Sequence, residues 1–522
     1  MGCPLRFLAV IVVSLWSALP PAFAQSPPPA LERGAAIIDP FTLRELDRGR
    51  FGLAGMLAVA RAADTPLDNA ELFALPSMLP VRKALDGEFE RFLQRHAADH
   101  PNETIGVDVT SGVQLFDRAL LYSPATRFVL AGIINRMDRA YVARQNCGEI
   151  RLIYRLAQPG APAIGEHAVS SRPPMTLNLV LKARGGAAAG KRATFTCAEI
   201  ARRWLAAGEW PQAGAALAQR LMSESGPLEG IGAENIERLE TDLQIAHASK
   251  APGREFRTDY LLKVFDYDVR SRTFNEATLE NQFDAERILA DANLGRAFKA
   301  WLLEPEHFAE FDRGTVLIPK EFLATRAIAP TPAGFVNSPL QPAFGLMPGE
   351  GTAPLFSEAD ILAALEKAAR SGVRPQNIRS VAGFEQRLND ITCAGCHQTR
   401  GIGGFHFPGV DWMAAKPSNA TVVPGSPHFF GDQVRRRDIL NSIRDGGKVD
   451  YSRGFSARPQ SRGSGELAGT EYEDGWGAPC YSQSAHATGY DRSFKSWTCA
   501  RGLACQIMSD ASHMGMCFVG GR

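Results

Sequence analysis

The sequence predicts an α+β N-terminal body, then a mostly α-helical domain, and a small disulfide-rich module near the C-terminal end. Strand-like and helix-like spacings of apolar residues alternate up to about residue 350, and beyond it helical segments lead into Cys393 and span residues 432–444. Four cysteines lie within residues 476–522, which contain few aliphatic side chains. A chain of 522 residues is long enough for roughly three domains of about 150 residues each.

Composition excludes several classes of protein. Hydrophobic residues make up 45% and charged residues 22% of the chain, which are ordinary globular values. The formal net charge is only +1, so no nucleic-acid partner is expected. No apolar run reaches the roughly 20 residues needed to cross a bilayer, so no membrane span is expected either.

Residues 1–24 have the three regions of a secretory signal peptide. Arg6 precedes an apolar stretch over residues 7–19, and a small-residue cleavage site ends at Ala24. The apolar stretch is too short for a membrane anchor, so we expect cleavage after Ala24. The mature chain is therefore expected to be periplasmic or secreted.

Residues 25–350 are expected to form an α+β domain of unknown role. The predicted strands are β-branched or alternating and span residues 128–135, 149–156, 175–183 and 260–267. The predicted helices have apolar residues three and four positions apart and span residues 197–207, 213–223, 236–248 and 284–303. A further helix over residues 358–371 follows the capping residue Ser357.

Cysteines are informative because disulfides persist in an exported protein. Cys147 and Cys197 stand alone in the N-terminal half, and a disulfide between them would stabilise the fold by about 4 kcal/mol. The alternative is a pair of buried thiols. Residues 451–475 are rich in Ser, Gly and Arg and are predicted to be a linker. Residues 476–522 need covalent staples, and their four cysteines allow three pairings.

The strongest motif is Cys393-Ala394-Gly395-Cys396-His397. Two thiols at this spacing can each add to one vinyl group of a haem, and the imidazole that follows can coordinate the iron. The motif resembles the haem-attachment site of the c-type cytochromes, which are also loaded in the exported compartment. The resemblance implies one covalent haem c, held by Cys393 and Cys396, with His397 as the proximal ligand.

The resemblance extends over residues 375–447 at a lower level. Gly383-Phe384 is similar to the Gly-Phe pair on the first helix of small cytochromes, and a predicted helix over residues 432–444 takes the place of their closing helix. It therefore implies a mostly α-helical cytochrome c-like haem domain over residues 351–450.

The distal ligand stays open. In the resembled family it is usually a methionine before the last helix, and Met413 is the methionine between His397 and that helix. Met413 is also explained as a core residue beside Trp412. His428 and His406 are alternatives that would give a haem with two histidine ligands, and an open sixth position would favour small-ligand chemistry.

Three other interpretations compete for the same motif. A thioredoxin-like dithiol is disfavoured because the Gly-rich stretch after Gln398 does not favour a continuing helix. A zinc site that includes His406 is disfavoured because the adjacent Cys396 and His397 rarely close one tetrahedron. The remaining interpretation is a structural disulfide followed by an unrelated histidine.

Charged residues also concentrate in Asn135-Arg136-Met137-Asp138-Arg139 and around Glu149, at the end of a predicted strand. Sites often form at strand ends, but no nucleophile and base can be paired here. We therefore expect a structural cluster of ion pairs.

These observations predict an exported mono-haem protein that exchanges single electrons with a redox partner protein or a small-molecule donor or acceptor. Whether it is an enzyme is open: a haem-containing oxidoreductase is conceivable, but no catalytic residues can be named. The alternative is a secreted binding or surface-associated protein in which the cysteine motif is merely structural.

Overall fold

A computed structural model of the chain describes residues 36–60, 65–108, 110–158, 174–184, 195–248, 257–331, 355–398, 433–453, 479–481, 503–507 and 514–519. Their main feature is a large sheet of ten strands with helices packed on it. No helix within these ranges is long and apolar enough to cross a membrane.

The strands of the large sheet are antiparallel except for the pair β2–β3. Their order is β1-β4-β5-β6-β7, after which β7 pairs with both β3 and β8, and β8 also pairs with β9 and β10. Their bounds are β1 Ala36–Ile37, β2 Ile105–Gly106, β3 Val113–Leu115, β4 Arg127–Arg136, β5 Glu149–Ala157, β6 Met175–Lys182, β7 Ile236–Ala248, β8 Arg257–Asp268, β9 Thr273–Ala277 and β10 Ala327–Thr331.

Helices lie before, between and after these strands. Their bounds are α1 Pro40–Arg48, α2 Leu53–Met56, α3 Asn69–Leu72, α4 Leu79–Asp99, α5 Cys197–Gly208, α6 Gly214–Met222, α7 Ala285–Ala290, α8 Ala292–Leu302, α9 Pro305–Arg313, α10 Glu358–Arg370, α11 Val381–Asp390, α12 Cys393–Gln398 and α13 Gln433–Arg444.

The register gives the sheet one apolar and one charged face. Leu152, Leu179, Leu239 and Phe265 form one row across β5 to β8. This row is buried in the main hydrophobic core together with side chains of α1, α4, α5 and α6. Because successive side chains alternate between faces, the next residues along each strand point to the other side. There the rows carry arginine, glutamate and aspartate side chains.

The four predicted strands are confirmed as β4, β5, β6 and β8. The helices predicted over residues 197–207, 213–223 and 358–371 are confirmed as α5, α6 and α10, and Ser357 caps α10. The helix predicted over residues 284–303 is two helices. Asp291 ends α7 and caps α8 by accepting hydrogen bonds from the N–H groups of Asn293 and Leu294.

The helix predicted over residues 236–248 is wrong, because this segment is strand β7. Its apolar residues Ile236, Leu239 and Leu243 have helical spacing, but both faces of the strand are buried. Glu240 is 4% exposed and Asp242 is 7% exposed. Because charged side chains are buried on the second face, the sequence does not show the two-residue alternation of apolar and polar residues that is typical of a half-buried strand.

The prediction of a mostly α-helical cytochrome c-like fold for residues 351–450 is also wrong. The helices of this range belong to cores shared with the rest of the chain. Phe384 packs against Phe311 and Phe356, with ring centroids 5.3 and 5.1 Å away, in a core that also includes α8 and α9. Similarly, α12 packs against β10, and α13 packs against α5. The correct architecture is a large antiparallel sheet with helices.

The disulfide predicted between Cys147 and Cys197 is confirmed, with Cα atoms 5.3 Å apart. Near the C-terminus, β11 (Pro479–Tyr481), β12 (Leu503–Ile507) and β13 (Met514–Val519) form a small sheet in the order β11-β13-β12. Cys505 on β12 is disulfide-bonded. The full pairing in this module stays a prediction, because most of residues 476–522 lie outside the described ranges.

Asp47 on α1 gives the fold a testable pH dependence. Its carboxylate accepts a hydrogen bond of 3.0 Å from the N–H of Leu130. Burial raises its pKa to about 6, although this hydrogen bond and the charges of Arg127 and Arg48 oppose the rise. The folded chain therefore binds this proton more tightly than the unfolded chain does, and stability decreases as the pH rises through the folded pKa.

We expect Asp47→Asn to raise the melting temperature by about 2 to 5 °C at about pH 8 and to leave it unchanged at about pH 4. The amide keeps the acceptor for Leu130 and removes the buried charge. Asp99→Asn, at the exposed end of α4, is the control and should change neither value. An equal effect of Asp47→Asn at both pH values would refute this account.

Candidate functional site

The charged face of the sheet carries a buried ion-pair network centred on Glu149, the first residue of β5. Its Oε1 accepts hydrogen bonds from Arg139 Nε at 3.0 Å and Arg238 Nη2 at 2.8 Å. Its Oε2 accepts two from Arg151, at 3.0 and 3.1 Å. Glu240 on β7 accepts further bonds from Arg151 at 3.0 Å and Arg238 at 2.9 Å. We call these five residues the Glu149 cluster.

The cluster forms because the register brings its members together. In the pairing of β5 to β8, Arg151 shares a row with Arg238, and Glu240 lies in the next row on the same face. Arg139 arrives from the short helical turn that follows β4. It also pairs with Glu280, which comes after β9. The cluster therefore joins segments that are far apart in sequence.

A second group of charges adjoins the Glu149 cluster. Asp138 accepts hydrogen bonds from Arg136 Nε at 2.8 Å and from Arg435 Nη2 at 3.1 Å. Arg435 lies on α13, so this ion pair connects that helix to the end of β4. Arg436, the next residue on α13, is 3% exposed, and its positive charge also lowers the pKa of Asp138. The structure thus confirms that charges concentrate at this strand end.

Electrostatics keep the central groups ionised. Burial alone would raise the pKa of Glu149, but the charges of Arg139, Arg238 and Arg151 outweigh it and hold the pKa well below its usual range. Glu237 behaves differently. Burial raises its pKa, and the charge of Arg238 opposes this only in part. Glu149 is therefore ionised at neutral pH and does not act as a proton donor there.

A cavity of about 380 Å³ lies against this network. Its wall combines the charged sheet face with the segments after β9 and before α12. Charged and thiol-bearing residues in the wall are Arg136, Arg139, Arg151, Glu237, Arg238, Glu240, Asp266, Glu280, Lys320, Asp390, Cys393 and Arg453. The first cysteine of the predicted haem motif therefore lines the cavity.

The cysteine motif begins a short helix whose first turn is fixed from several sides. Thr392 caps α12, because its Oγ1 accepts a hydrogen bond of 2.9 Å from the N–H of Gly395. The N–H of Ala394 donates to Gln282 Oε1 at 2.9 Å. A Cβ atom on Gly395 would lie 1.8 Å from the carbonyl oxygen of Asn389, so only glycine fits at this position of the motif.

Cys393 is partly exposed, and its Sγ donates a hydrogen bond of 3.5 Å to the carbonyl oxygen of Glu280. Since the carboxylate of Glu280 pairs with Arg139, residue 280 connects the motif to the Glu149 cluster. Cys396 and His397 lie on the same short helix as Cys393. The three candidate distal ligands Met413, His428 and His406 lie outside the described residues.

The backbone positions of the motif residues are compatible with covalent attachment of a haem. Positions 393, 396 and 397 are three and four residues apart on one helix and therefore lie on the same side of it. Cys393 is half-buried: it lines the cavity and also packs against a small hydrophobic cluster that includes residues of β8 and β10. Within the described ranges, no group of three or more His, Cys, Asp or Glu side chains could hold a bare metal ion.

Most of the cavity wall was missed from the sequence. The residues after β4 and the start of β5 were noted as a charged cluster, but Arg238, Glu240 and Glu280 were not. A signal was available in β5 and β7. Glu149 and Arg151, like Arg238 and Glu240, are charged residues two positions apart and so share one face of a strand.

Comparisons of the chain with known protein families, with curated protein sequences and with solved structures found no match.

Glu149 supplies a test of the buried network. We expect Glu149→Gln to reduce the free energy of unfolding by about 3 to 5 kcal/mol at neutral pH, because three arginines lose their shared anion. The folded-state pKa of Glu149 is depressed, so its contribution is present at neutral pH and is lost as the pH falls through that pKa. Urea denaturation at about pH 7 and about pH 3 measures both effects.

The matched control is Glu237→Gln on the same sheet. Its carboxylate forms only a long ion pair with Arg238, at 3.9 Å. Glu237→Gln should change the unfolding free energy by less than about 1 kcal/mol. If Glu149→Gln and Glu237→Gln had the same unfolding free energy, Glu149 would not be the centre of the network.

Proposed function

We propose that this chain is an exported protein that binds one haem covalently through Cys393 and Cys396 and exchanges single electrons. His397 is the proximal iron ligand. The observation that carries the proposal is the placement of the whole Cys-x-x-Cys-His motif on α12, beginning at its first residue. The proposal concerns haem attachment and does not require the cytochrome c fold, which the described residues do not form.

The surroundings of α12 support an attachment site. The Thr392 cap, the Gln282 contact and the close approach of Gly395 to Asn389 fix the first turn of the helix. A fixed turn keeps the two cysteine positions at a constant separation, which double attachment requires. When bound, a haem supplies an iron that cycles reversibly between two oxidation states.

Export is part of the proposal. The signal peptide proposed for residues 1–24 would deliver the chain to the periplasm or outside the cell, where haem is attached to such motifs in the resembled family. A single motif of this kind occurs in the sequence. One haem suits one-electron exchange with a redox partner protein or with a small-molecule donor or acceptor.

Mass spectrometry of the intact chain tests attachment directly. We expect the full-length protein, exported from a host that carries haem-attachment machinery, to gain the mass of one haem. Cys393→Ser combined with Cys396→Ser should lose it. The control is Cys147→Ser with Cys197→Ser, which removes two cysteines elsewhere and should keep the haem. An unmodified wild-type mass would contradict the proposal and favour a structural role for the motif.

A second prediction concerns the distal ligand, for which we propose Met413. The optical spectrum of the oxidised haem distinguishes thioether from imidazole coordination, because the two ligands produce different iron electronic states. We expect Met413→Ala to change this spectrum and to lower the reduction potential, whereas His428→Ala and His406→Ala change neither. A spectral change in a histidine variant alone would assign the ligand to that histidine.

A further inference from the structure

Two buried arginines of the cavity wall have hydrogen-bond donors to spare. Arg136 is 2% exposed and Arg139 is 7% exposed. Arg136 uses Nε and Nη2 for Asp138, and Arg139 uses Nε for Glu149 and Nη2 for Glu280. No described residue accepts a hydrogen bond from Nη1 of either arginine. Both arginines line the cavity, so each Nη1 group can donate to a molecule bound there, and an anion is the acceptor that forms the strongest hydrogen bonds with a guanidinium group.

The spare acceptors of the cavity lie elsewhere. Asp266 is exposed and forms no ion pair with any described residue, and Glu237 reaches Arg238 only at 3.9 Å. Both carboxylates can be solvated by water. Arg136 and Arg139 therefore present Nη1 donors at a buried part of the wall, whereas these two carboxylates lie where the wall is more exposed, so the surroundings of the two arginines favour an anion.

Arg136 and Arg139 also act on each other. Burial lowers the pKa of Arg136, and so does the positive charge of Arg139. The carboxylates of Asp138 and Glu149 outweigh both effects, so the pKa is raised overall. Both side chains line the cavity, so two like charges face the same space. A carboxylate bound there would accept charge-assisted hydrogen bonds from both and offset their mutual repulsion.

We infer that the cavity binds a small organic acid, with its carboxylate between Arg136 and Arg139. A volume of about 380 Å³ is at the lower end of the range of small-molecule sites and larger than an inorganic ion needs. The inference goes beyond the proposed function and does not require a haem. Because Cys393 lines the same cavity, the acid would lie beside the haem motif.

The same carboxylate chemistry could come from a haem attached at Cys393, so the test uses two forms of the full chain. Adipate, a dianion, is titrated calorimetrically into the haem-loaded protein and into the haem-free Cys393→Ser/Cys396→Ser variant. Adipamide, its neutral isostere, is the control ligand. We expect saturable adipate binding to both forms, at least about tenfold tighter than adipamide binding.

Each result has one meaning. Adipate binding to the haem-free form alone would overturn the inference, because the carboxylate in the cavity would then belong to the haem. No binding to either form, or equal binding of adipate and adipamide, would overturn it as well. If the wild-type chain carries no haem, the proposed function fails while adipate binding is still expected, so the two failures are distinguishable.

Variants locate the site within the chain. Arg139→Lys keeps a positive charge but removes the guanidinium Nη1, and we expect it to weaken adipate binding at least about tenfold. Should that variant not fold, the exposed residues of the cavity wall replace it. Lys320→Gln should weaken binding and Asp266→Asn should tighten it, each by about two- to threefold. Lys83→Gln on α4 is the control, and equal affinities in all variants would place binding elsewhere.

Discussion

The carboxylate of Glu149 shares its two oxygens among three arginines on the charged face of the sheet, and most of the structure around the cavity depends on this arrangement. A buried charge is tolerated only when it is completely paired, because removing it from water costs several kcal/mol. The pairing links β5 to β7 across the intervening β6 and holds the turn after β4 against the sheet. Through Glu280 it also fixes the segment on which α12 rests.

The cysteine motif is therefore positioned by the sheet and not by a small domain of its own. Gln282 accepts a hydrogen bond from the N–H of Ala394. Glu280 pairs with Arg139 of the Glu149 cluster through its carboxylate, and its backbone carbonyl group accepts a hydrogen bond from Cys393. On the other side, Asp312 accepts three backbone N–H groups from residues 376–378, just before α11. The motif thus begins beside the cavity, with Cys393 in its wall, and Cys393 and Cys396 would hold a haem if one is attached.

The sequence predicted those elements whose apolar period was undisturbed. Strands β4, β5, β6 and β8 and helices α5, α6 and α10 are local patterns, and they were found. Strand β7 was mistaken for a helix because Glu240 and Asp242 are buried on its second face. The fold of residues 351–450 was predicted wrongly because the Gly-Phe pair that includes Phe384 also occurs in small cytochromes. The residues that Phe384 packs against in this fold, Phe311 and Phe356, depend on tertiary packing and cannot be read from the local sequence. The charged cluster was noticed at one strand end, but ion pairs between residues 89 positions apart cannot be read from local spacing.

Covalent attachment of haem to one peptide is the central claim, and peptide mapping of the exported chain tests it most directly. Trypsin cleaves after Arg387 and Arg400, and this releases residues 388–400 with both motif cysteines. The account requires this peptide to carry the whole haem mass and the visible absorbance of the digest. Recovery of the same peptide without haem, from protein produced alongside active attachment machinery, would contradict it.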